Sequence, residues 1–143
     1  MKVILTQTDT TVGFLSQDAL KLQEIKSRKP TKAFIKVYKD FKTLVASGHR
    51  IPDKYKNTVR RAKKTTFIVK NSAFRVASSP LDSQVLRTNF WHYSTSANES
   101  SKNFNRDFCE EKADIIIENK NGLSENSSSS LYKINHKKRK KIR

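Results

Sequence analysis

The sequence predicts a single α/β domain built on a twisted, mixed, open sheet flanked by helices. Its 143 residues suit one compact unit, since single domains typically contain about 100 to 200 residues. Short apolar runs typical of strands alternate with segments whose apolar residues recur at helical spacing. No internal repeat interrupts this alternation, so one sheet with helices packed on it is the expected architecture.

In the first half, apolar runs and helix boundary signals define the elements. Val3–Leu5 is continuously apolar, which favours a buried strand. Ser16 is a candidate N-cap, Asp18 suits a first helical turn and Pro30 stops a helix, so we expect a helix that ends near Ser27. The next predicted elements are a strand over 33–38, a short helix over 40–46 and a largely polar helix over 53–64.

The second half predicts a hairpin followed by further helices and strands. Residues 65–69 and 73–77 read as two strands joined by a polar turn. Alternation in the strand over 91–95 is expected to bury Trp91 and Tyr93. The other predicted elements are a helix over 80–87, a helix over 104–112, a buried strand over 114–118, a low-complexity polar loop over 119–130 and a strand over 131–134. The domain is predicted to span 1–134, with 135–143 a disordered basic tail.

The charge of the chain predicts a polyanionic partner. The formal net charge is +17, and without residues 133–143 there remain 23 basic residues against 13 acidic ones, which leaves +10. A surface this basic attracts phosphates and releases their counterions, so nucleic acid is the first expectation and a nucleotide the second. The alternative is a chain that carries lysines on its surface for solubility alone.

Cysteine and apolar content limit the class of protein. The only cysteine is Cys109, so an intrachain disulfide and a paired-cysteine metal site are excluded, and a reducing compartment is expected. The apolar start is too short for a signal peptide and no apolar run reaches about 20 residues, so we expect a soluble cytoplasmic protein with no membrane partner. The three histidines have no ligand spacing, so no built-in metal site is expected.

Three polar sets could bind a substrate, although each also has a structural explanation. Thr8 and Thr10 follow the first strand and offer hydroxyls, but they could belong to an ordinary threonine-rich edge. The second set comprises Lys26, Arg28 and Lys32 at a helix end, where cations could bind phosphates or simply favour the helix dipole. The third set comprises Ser94, Ser96 and Asn98 at a strand end, which could bind a nucleotide or form a turn.

Taken in order, these sets resemble the YrdC family of threonylcarbamoyl-adenylate synthases. The segment 3–14 is similar to the family's opening strand and its P-T-[DE]-T-x-[YF]-G-L signature, and 25–30 resembles its K-x-R-P segment with Lys29 inserted before the proline. The segment 73–76 resembles the family's A-V-R-[VI] strand and 94–98 its S-x-N signature. The resemblance extends to about Ile134. The chain departs from the family pattern at Gln7, which replaces the signature proline, and at Ala62-Lys63-Lys64, which replaces a Pro-Gly-Pro.

The resemblance implies a YrdC-like fold and a nucleotidyltransferase. Such an enzyme makes threonylcarbamoyl-AMP and pyrophosphate from L-threonine, bicarbonate and ATP with its Mg²⁺, for modification of adenosine 37 in tRNA by a tRNA threonylcarbamoyl-transferase complex. Thr8 and Thr10 would contact threonine or bicarbonate, and Arg75 would be a further polar contact. The implied nucleotide ligands are Lys26, Arg28, Lys32, Ser94, Ser96 and Asn98. No covalent catalytic residue is implied.

A YrdC-like RNA-binding protein without catalysis is the second hypothesis, and a small ribosome-associated basic protein unrelated to the family is the third. Four cations cluster within the polar helix predicted over 53–64, and we expect them to bind tRNA or another structured RNA: Arg60, Arg61, Lys63 and Lys64. Removal of the basic tail is expected to leave ATP turnover unchanged, because the matched motifs end before it.

Overall fold

The structure is a computed structural model that describes residues 2–27, 34–99 and 101–143. In these residues, a nine-stranded mixed sheet forms the frame of the fold. The strands are β1 (Ile4–Gln7), β2 (Val12–Ser16), β3 (Ile35–Tyr38), β4 (Thr65–Val69), β5 (Ser72–Val76), β6 (Trp91–Ser96), β7 (Ile115–Ile117), β8 (Ser130–Ile134) and β9 (Arg139–Lys141). The helices are α1 (Ala19–Lys26), α2 (Phe41–Ala46), α3 (Lys56–Arg61), α4 (Pro80–Val85) and α5 (Arg106–Lys112), with a 3-10 turn over Asp53–Tyr55.

The strand order is β7-β1-β2-β6-β3-β5-β4-β8-β9. The pairs β1–β2, β4–β5 and β8–β9 are antiparallel neighbours in sequence, whereas β1–β7, β3–β5 and β4–β8 are parallel. Strand β6 inserts between β2 and β3 and is antiparallel to both. The predicted α/β class with a mixed open sheet is confirmed.

Register and strand alternation divide the helices between the two faces of the sheet. On one face, Phe14 packs with α1 and α5, and Phe74 packs with α2 and α3. The opposite face carries Val37, whose register partners are Arg75 on β5 and His92 on β6. Val37 packs with Leu86, directly after α4. Because side chains two residues apart share a face, Ser94 and Ser96 also lie on this α4 face.

Several local predictions are corrected by the structure. Ser16 is the last residue of β2 and not the predicted N-cap. The helix cap is Asp18, whose Oδ1 accepts hydrogen bonds from the backbone N of Leu20 and Lys21. In β6, Trp91 and Tyr93 are only half-buried; the fully buried member of the strand is His92.

Two further corrections concern strand edges and the basic helix. The run 115–117 forms an edge strand beside β1, so Ile115 and Ile116 are 36% and 43% exposed rather than buried. Helix α3 ends at Arg61, so Lys63 and Lys64 lie beyond it in an irregular segment where Lys64 has φ 52°.

The segment beyond residue 134 is a paired strand in the structure, not the predicted disordered tail. Asn135 Oδ1 accepts hydrogen bonds from the backbone N of Lys137 and Lys138, a turn that reverses the chain. Strand β9 then pairs with the open edge of β8. Beyond it, the backbone N of Arg143 donates to Leu131 O. No helix in the described residues is long and apolar enough to cross a membrane.

Candidate functional site

The candidate site is a cleft of about 210 Å³ on the α4 face of the sheet. It lies where the β1–β2 loop, the end of β6 and the segment before β8 meet. Its lining is rich in hydroxyls and has two guanidinium groups: Thr8, Thr10, Thr11, Gly13, Ile35, Arg75, Ser94, Thr95, Ser96, Ser128, Ser129 and Arg143. Such a lining suits a small polar or anionic ligand, because hydroxyls can both donate and accept and guanidinium groups bind carboxylates and phosphates.

The β1–β2 loop presents two threonine hydroxyls that are fixed by their own hydrogen bonds. Thr8 Oγ1 donates to Thr11 O at 2.6 Å and accepts from Thr10 N at 3.2 Å. The two hydroxyls, Thr8 Oγ1 and Thr10 Oγ1, are 3.2 Å apart. Thr8 and Thr10 are 6% and 9% exposed, so a ligand would meet preorganised groups rather than mobile ones.

Gly13 allows β6 to approach this loop closely. Gly13 pairs with Ser96, and a Cβ at Gly13 would lie 3.0 Å from Thr8 Cγ2 and 3.1 Å from Thr95 O. Both distances are shorter than ordinary carbon contacts. The glycine therefore lets the threonine hydroxyls and the Ser94–Ser96 segment share one cleft.

Lys26 holds the turn after β6, and neither it nor Asn98 lines the cleft. Its ammonium, on a residue only 7% exposed, donates to Ser96 O at 3.0 Å, to Asn98 O at 2.9 Å and to Asn98 Oδ1 at 2.6 Å. Ser96 Oγ donates to the same Asn98 Oδ1 at 2.7 Å. Lys26 thus joins the end of α1 to the Ser96–Asn98 turn. Arg28 and Lys32, the other predicted phosphate ligands, lie outside the described residues.

Arg75 reaches the cleft from a buried cluster of charges. Its Nη1 donates to Thr10 Oγ1 at 3.1 Å, and its Nη2 lies 3.3 Å from Asp9 Oδ1 and 3.9 Å from Asp82 Oδ2. Burial opposes ionisation of Asp9, but hydrogen bonds from Asp82 and Ser78 and the charge of Arg75 together lower its pKa. Burial raises the pKa of Asp82 to about 8, and the adjacent Asp9 carboxylate adds to the rise.

The segment before β8 and Arg143, which follows β9, complete the cleft, and no sequence motif predicts either of them. Arg143 Nε donates to Ser129 O at 3.0 Å, and Arg143 Nη2 donates to Ser129 Oγ at 3.3 Å. Ser129 Oγ also pairs with Thr66 Oγ1 at 2.7 Å, which ties the segment to β4. Arg143 escaped notice because it lies in a basic run, where nothing local distinguishes a guanidinium that faces a cleft from one that faces water.

Lys63 and Lys64 lie next to the site, while Arg60 and Arg61 line neither cleft. A second, shallow cleft of about 350 Å³ shares Thr8 and Thr10 with the first and is lined further by both lysines. The backbone of Lys64 is fixed here because its carbonyl accepts from Ser130 N at 3.0 Å. Arg60 instead lies over the Phe41 ring. The four cations predicted to bind RNA therefore fall into two separate groups.

No protein-family model matches this chain, and no curated protein matches it by sequence. Solved structures match it by fold. P. abyssi Sua5 complexed with L-threonine matches with a TM-score of 0.81 at 17% identity over 99% of the chain. The chain has the Sua5/YrdC fold. This chain spans 50% of the length of that Sua5 chain.

The Sua5/YrdC fold also occurs in two further matches. E. coli YciO matches with a TM-score of 0.77 at 16% identity, over 99% of this chain and 82% of YciO. The MTH1692 protein of Methanobacterium thermoautotrophicum matches with a TM-score of 0.67 at 16% identity, over 92% of this chain and 74% of that protein. The YrdC-like fold expected from the motifs is thereby confirmed.

Proposed function

We propose that this chain is a threonylcarbamoyl-AMP synthase domain that forms threonylcarbamoyl-adenylate and pyrophosphate from L-threonine, bicarbonate and ATP. One observation carries the proposal: the Thr8–Thr10 hydroxyls, the Ser94–Ser96 segment and two guanidinium groups meet in one cleft of a Sua5/YrdC fold. A structure of that fold, P. abyssi Sua5, was solved as a complex with L-threonine. The product would serve modification of adenosine 37 in tRNA, by way of a threonylcarbamoyl-transferase complex.

In this proposal one group of cleft side chains binds L-threonine and bicarbonate, and another group binds the phosphates of ATP. Thr8 and Thr10, supported by Arg75, hold L-threonine and bicarbonate. Ser94, Ser96 and Arg143 hold the phosphates, to which Mg²⁺ comes with ATP. The amine nitrogen of threonine bonds to the carbon of bicarbonate and water leaves, which gives a carbamate. A carbamate oxygen then attacks the α-phosphorus of ATP, and the bond from the α-phosphorus to the bridging oxygen of pyrophosphate breaks. Positioning and charge neutralisation supply the rate, so no covalent nucleophile is needed.

In this proposal Lys26 and Asn98 support the residues that bind the phosphates of ATP. The Lys26 ammonium and the Asn98 carboxamide fix the turn that carries Ser96. Arg28 and Lys32 are retained as phosphate ligands on the strength of the K-x-R resemblance.

Arginine substitution at two positions near the end of the chain tests the proposal. Pyrophosphate release from ATP is expected to require both L-threonine and bicarbonate. Arg143→Ala is expected to lower kcat/KM for ATP by about 10²-fold or more, because a preorganised charge at the phosphates is lost. Arg139→Ala removes the same charge from β9, where the guanidinium lies over the Tyr132 ring and does not line the cleft, and is the matched control. Release that is indifferent to threonine and bicarbonate, or equal effects of the two substitutions, would reject the proposal.

The alternative, a YrdC-like RNA-binding protein without catalysis, is not favoured. A protein that only binds RNA has no use for a buried guanidinium aimed at a preorganised pair of threonine hydroxyls. Binding to tRNA or another structured RNA remains part of the proposal as a property of the basic surface, which includes Lys63 and Lys64 beside the site and Arg60 and Arg61 away from it.

A further inference from the structure

The cluster behind Thr10 contains more acid than its single base can neutralise. The side chains of Arg75, Asp9 and Asp82 are 4%, 1% and 0% exposed. Two ionised carboxylates beside one guanidinium would leave a net negative charge on side chains that water hardly reaches, which is strongly unfavourable. The cluster therefore retains one proton at neutral pH.

The surroundings of the two carboxyls decide which of them holds that proton. Asp9 is nearer to Arg75, and its Oδ2 also accepts hydrogen bonds from Ser78 Oγ at 3.0 Å and Ser78 N at 3.3 Å. Asp82 lies farther from Arg75, at 3.9 Å, and is the most deeply buried of the three. The carboxylate with more donors stays ionised, so Asp82 is the protonated partner and can donate to Asp9.

We propose that Asp82 is a positioning residue of the cleft: its protonated carboxyl holds Asp9 against Arg75, so that Arg75 Nη1 stays directed at Thr10 Oγ1. The proposal rests on the proposed function only in the choice of L-threonine as the ligand that reports on Thr10. Asp82 itself touches no substrate, and acts through Asp9, Arg75 and then Thr10.

Loss of the Asp82 proton is expected to disturb the cleft at alkaline pH. A second carboxylate competes with Asp9 for Arg75, and the donor that Asp9 received from Asp82 is gone. The sign follows from the raised pKa of Asp82: the ordered arrangement is complete well below pH 8 and is lost as the pH rises through about 8.

Among the described residues, the charged groups that face Asp82 are Asp9 on the β1–β2 loop, which is already ionised because its pKa is lowered, and Arg75 on β5. Beyond Asp9, Lys63 and Lys64 line the shallow cleft that Asp9 shares with Ser78 and Ser79. His92 on β6 lies near Val85 of α4, and burial lowers the pKa of its imidazole, so it is neutral throughout. Ser78 and Ser79 precede the helix and carry no charge.

Asp82→Asn tests the inference, because an asparagine keeps the shape and a donor but cannot lose a proton. We expect the Kd for L-threonine of the unsubstituted protein to rise between pH 7 and pH 9.5, approaching about tenfold per pH unit above the transition. Asp82→Asn is expected to bind as well at pH 7 and to lack this added rise. The amine of L-threonine itself also titrates in this pH range, but its effect on the Kd is the same for both proteins and cancels when their Kd values are compared. The exposed Asp53→Asn is the matched control and should keep the pH dependence.

A ligand-free measurement separates this inference from the proposed function. Carboxyl ¹³C NMR should show one aspartate that titrates near pH 8 and is absent in Asp82→Asn. The Arg75 Nη protons should exchange faster with solvent above that pH in the unsubstituted protein only. If L-threonine binds neither protein, the proposed function fails, and the NMR spectra alone then test whether Asp82 holds the proton. Titration of Asp82 below pH 6, or identical pH profiles in both proteins, would overturn the inference.

Discussion

Gly13 is the single residue on which the shape of the cleft depends most directly. Gly13→Ala is expected to reduce L-threonine binding at least tenfold, because the new Cβ must displace Thr8 or the β6 backbone at Thr95. Overpacking of this kind typically costs about 1 to 3 kcal/mol of folding free energy. Calorimetric titration and urea unfolding would measure the two effects.

Gly48→Ala provides the control for that substitution. Gly48 has φ +95°, so an alanine there is strained, but its Cβ would meet nothing within 4 Å. A comparable loss of stability with unchanged binding is the expected outcome. If Gly13→Ala binds L-threonine normally, the close approach of β6 to Thr8 has no role in the cleft.

Lys26 is a buried cation whose loss should be felt both in stability and in turnover. Lys26→Met keeps the length of the side chain but leaves the carbonyls of Ser96 and Asn98 and the Asn98 Oδ1 without their donor. An unpaired buried acceptor costs about 1 to 3 kcal/mol, and these three acceptors are only partly buried, so water compensates part of the loss and we expect a destabilisation of about 1 to 3 kcal/mol.

The same substitution should also slow ATP turnover, because the turn beside Ser96 is no longer fixed. Lys42→Met, at an exposed position of α2, is the matched control and should change neither property. A Lys26→Met protein with full stability but no turnover would instead indicate that Lys26 contacts the phosphates directly.

At the scale of elements, β9 changes an expectation drawn from the sequence. The sequence predicts that removal of the tail at His136 leaves ATP turnover unchanged, but this deletion removes the partner of β8 and the Arg143 guanidinium. We now expect this deletion to lower both the thermal stability and the rate of pyrophosphate release.

A second variant separates the contribution of this segment's positive charge from the contribution of the pairing of β9 with β8. Lys137→Gln combined with Lys140→Gln removes two charges from the same segment and leaves β9 in place. This variant should retain stability and turnover, as measured by thermal unfolding and pyrophosphate assay. If the deletion behaves like the double substitution, β9 contributes only charge.

The elements that the sequence predicts well are those with a strong local signal. The β4–β5 hairpin is defined by two β-rich runs around a polar turn, and α2 by Asp40, whose Oδ1 caps Thr43 N. In contrast, β7 was predicted to be buried from three isoleucines, yet its position at the sheet edge is decided by long-range pairing with β1. Strand β9 was hidden because lysine and arginine do not favour strands by themselves.

The candidate site likewise contains some residues that a local sequence motif predicts and others that no motif predicts. The segments that carry Thr8, Thr10, Ser94 and Ser96 have recognisable motifs, and the structure places these residues in one cleft. Asp82 and Arg143 have none, because each acquires its role through partners in other elements: Arg75 and Asp9 for Asp82, and Ser129 for Arg143. The pattern of residues near Asp82 predicts only a helix, and burial of its carboxyl is a property of the folded molecule.

At the scale of the whole molecule, the positive charge predicts salt-sensitive binding to RNA. The chain carries +17, and +10 remains without residues 133–143, with 23 basic and 13 acidic residues. Affinity for structured RNA is expected to fall with salt, with a log–log slope of about −0.7 to −0.9 per phosphate neutralised. Filter binding over a range of KCl concentrations would measure this slope.

Two double variants locate the RNA surface. Lys63→Ser with Lys64→Ser removes the cations beside the cleft, and Arg60→Gln with Arg61→Gln removes those at the end of α3. Each pair should make the slope shallower by about 1 to 2 units if its members contact phosphates. A slope near zero in the unsubstituted protein would assign the excess charge to solubility and the nucleotide site.

The position of β6 between β2 and β3 has a consequence for how the protein folds. Strand β6 joins the β1–β2 hairpin to the strands β3–β5, and its pairing of Gly13 with Ser96 closes a long loop. Closing such a loop is entropically unfavourable and slow compared with hairpin formation. The cleft is therefore assembled late, when the two halves of the sheet meet. A ligand in the cleft contacts both halves at once and so stabilises the joined sheet over any state in which they have separated.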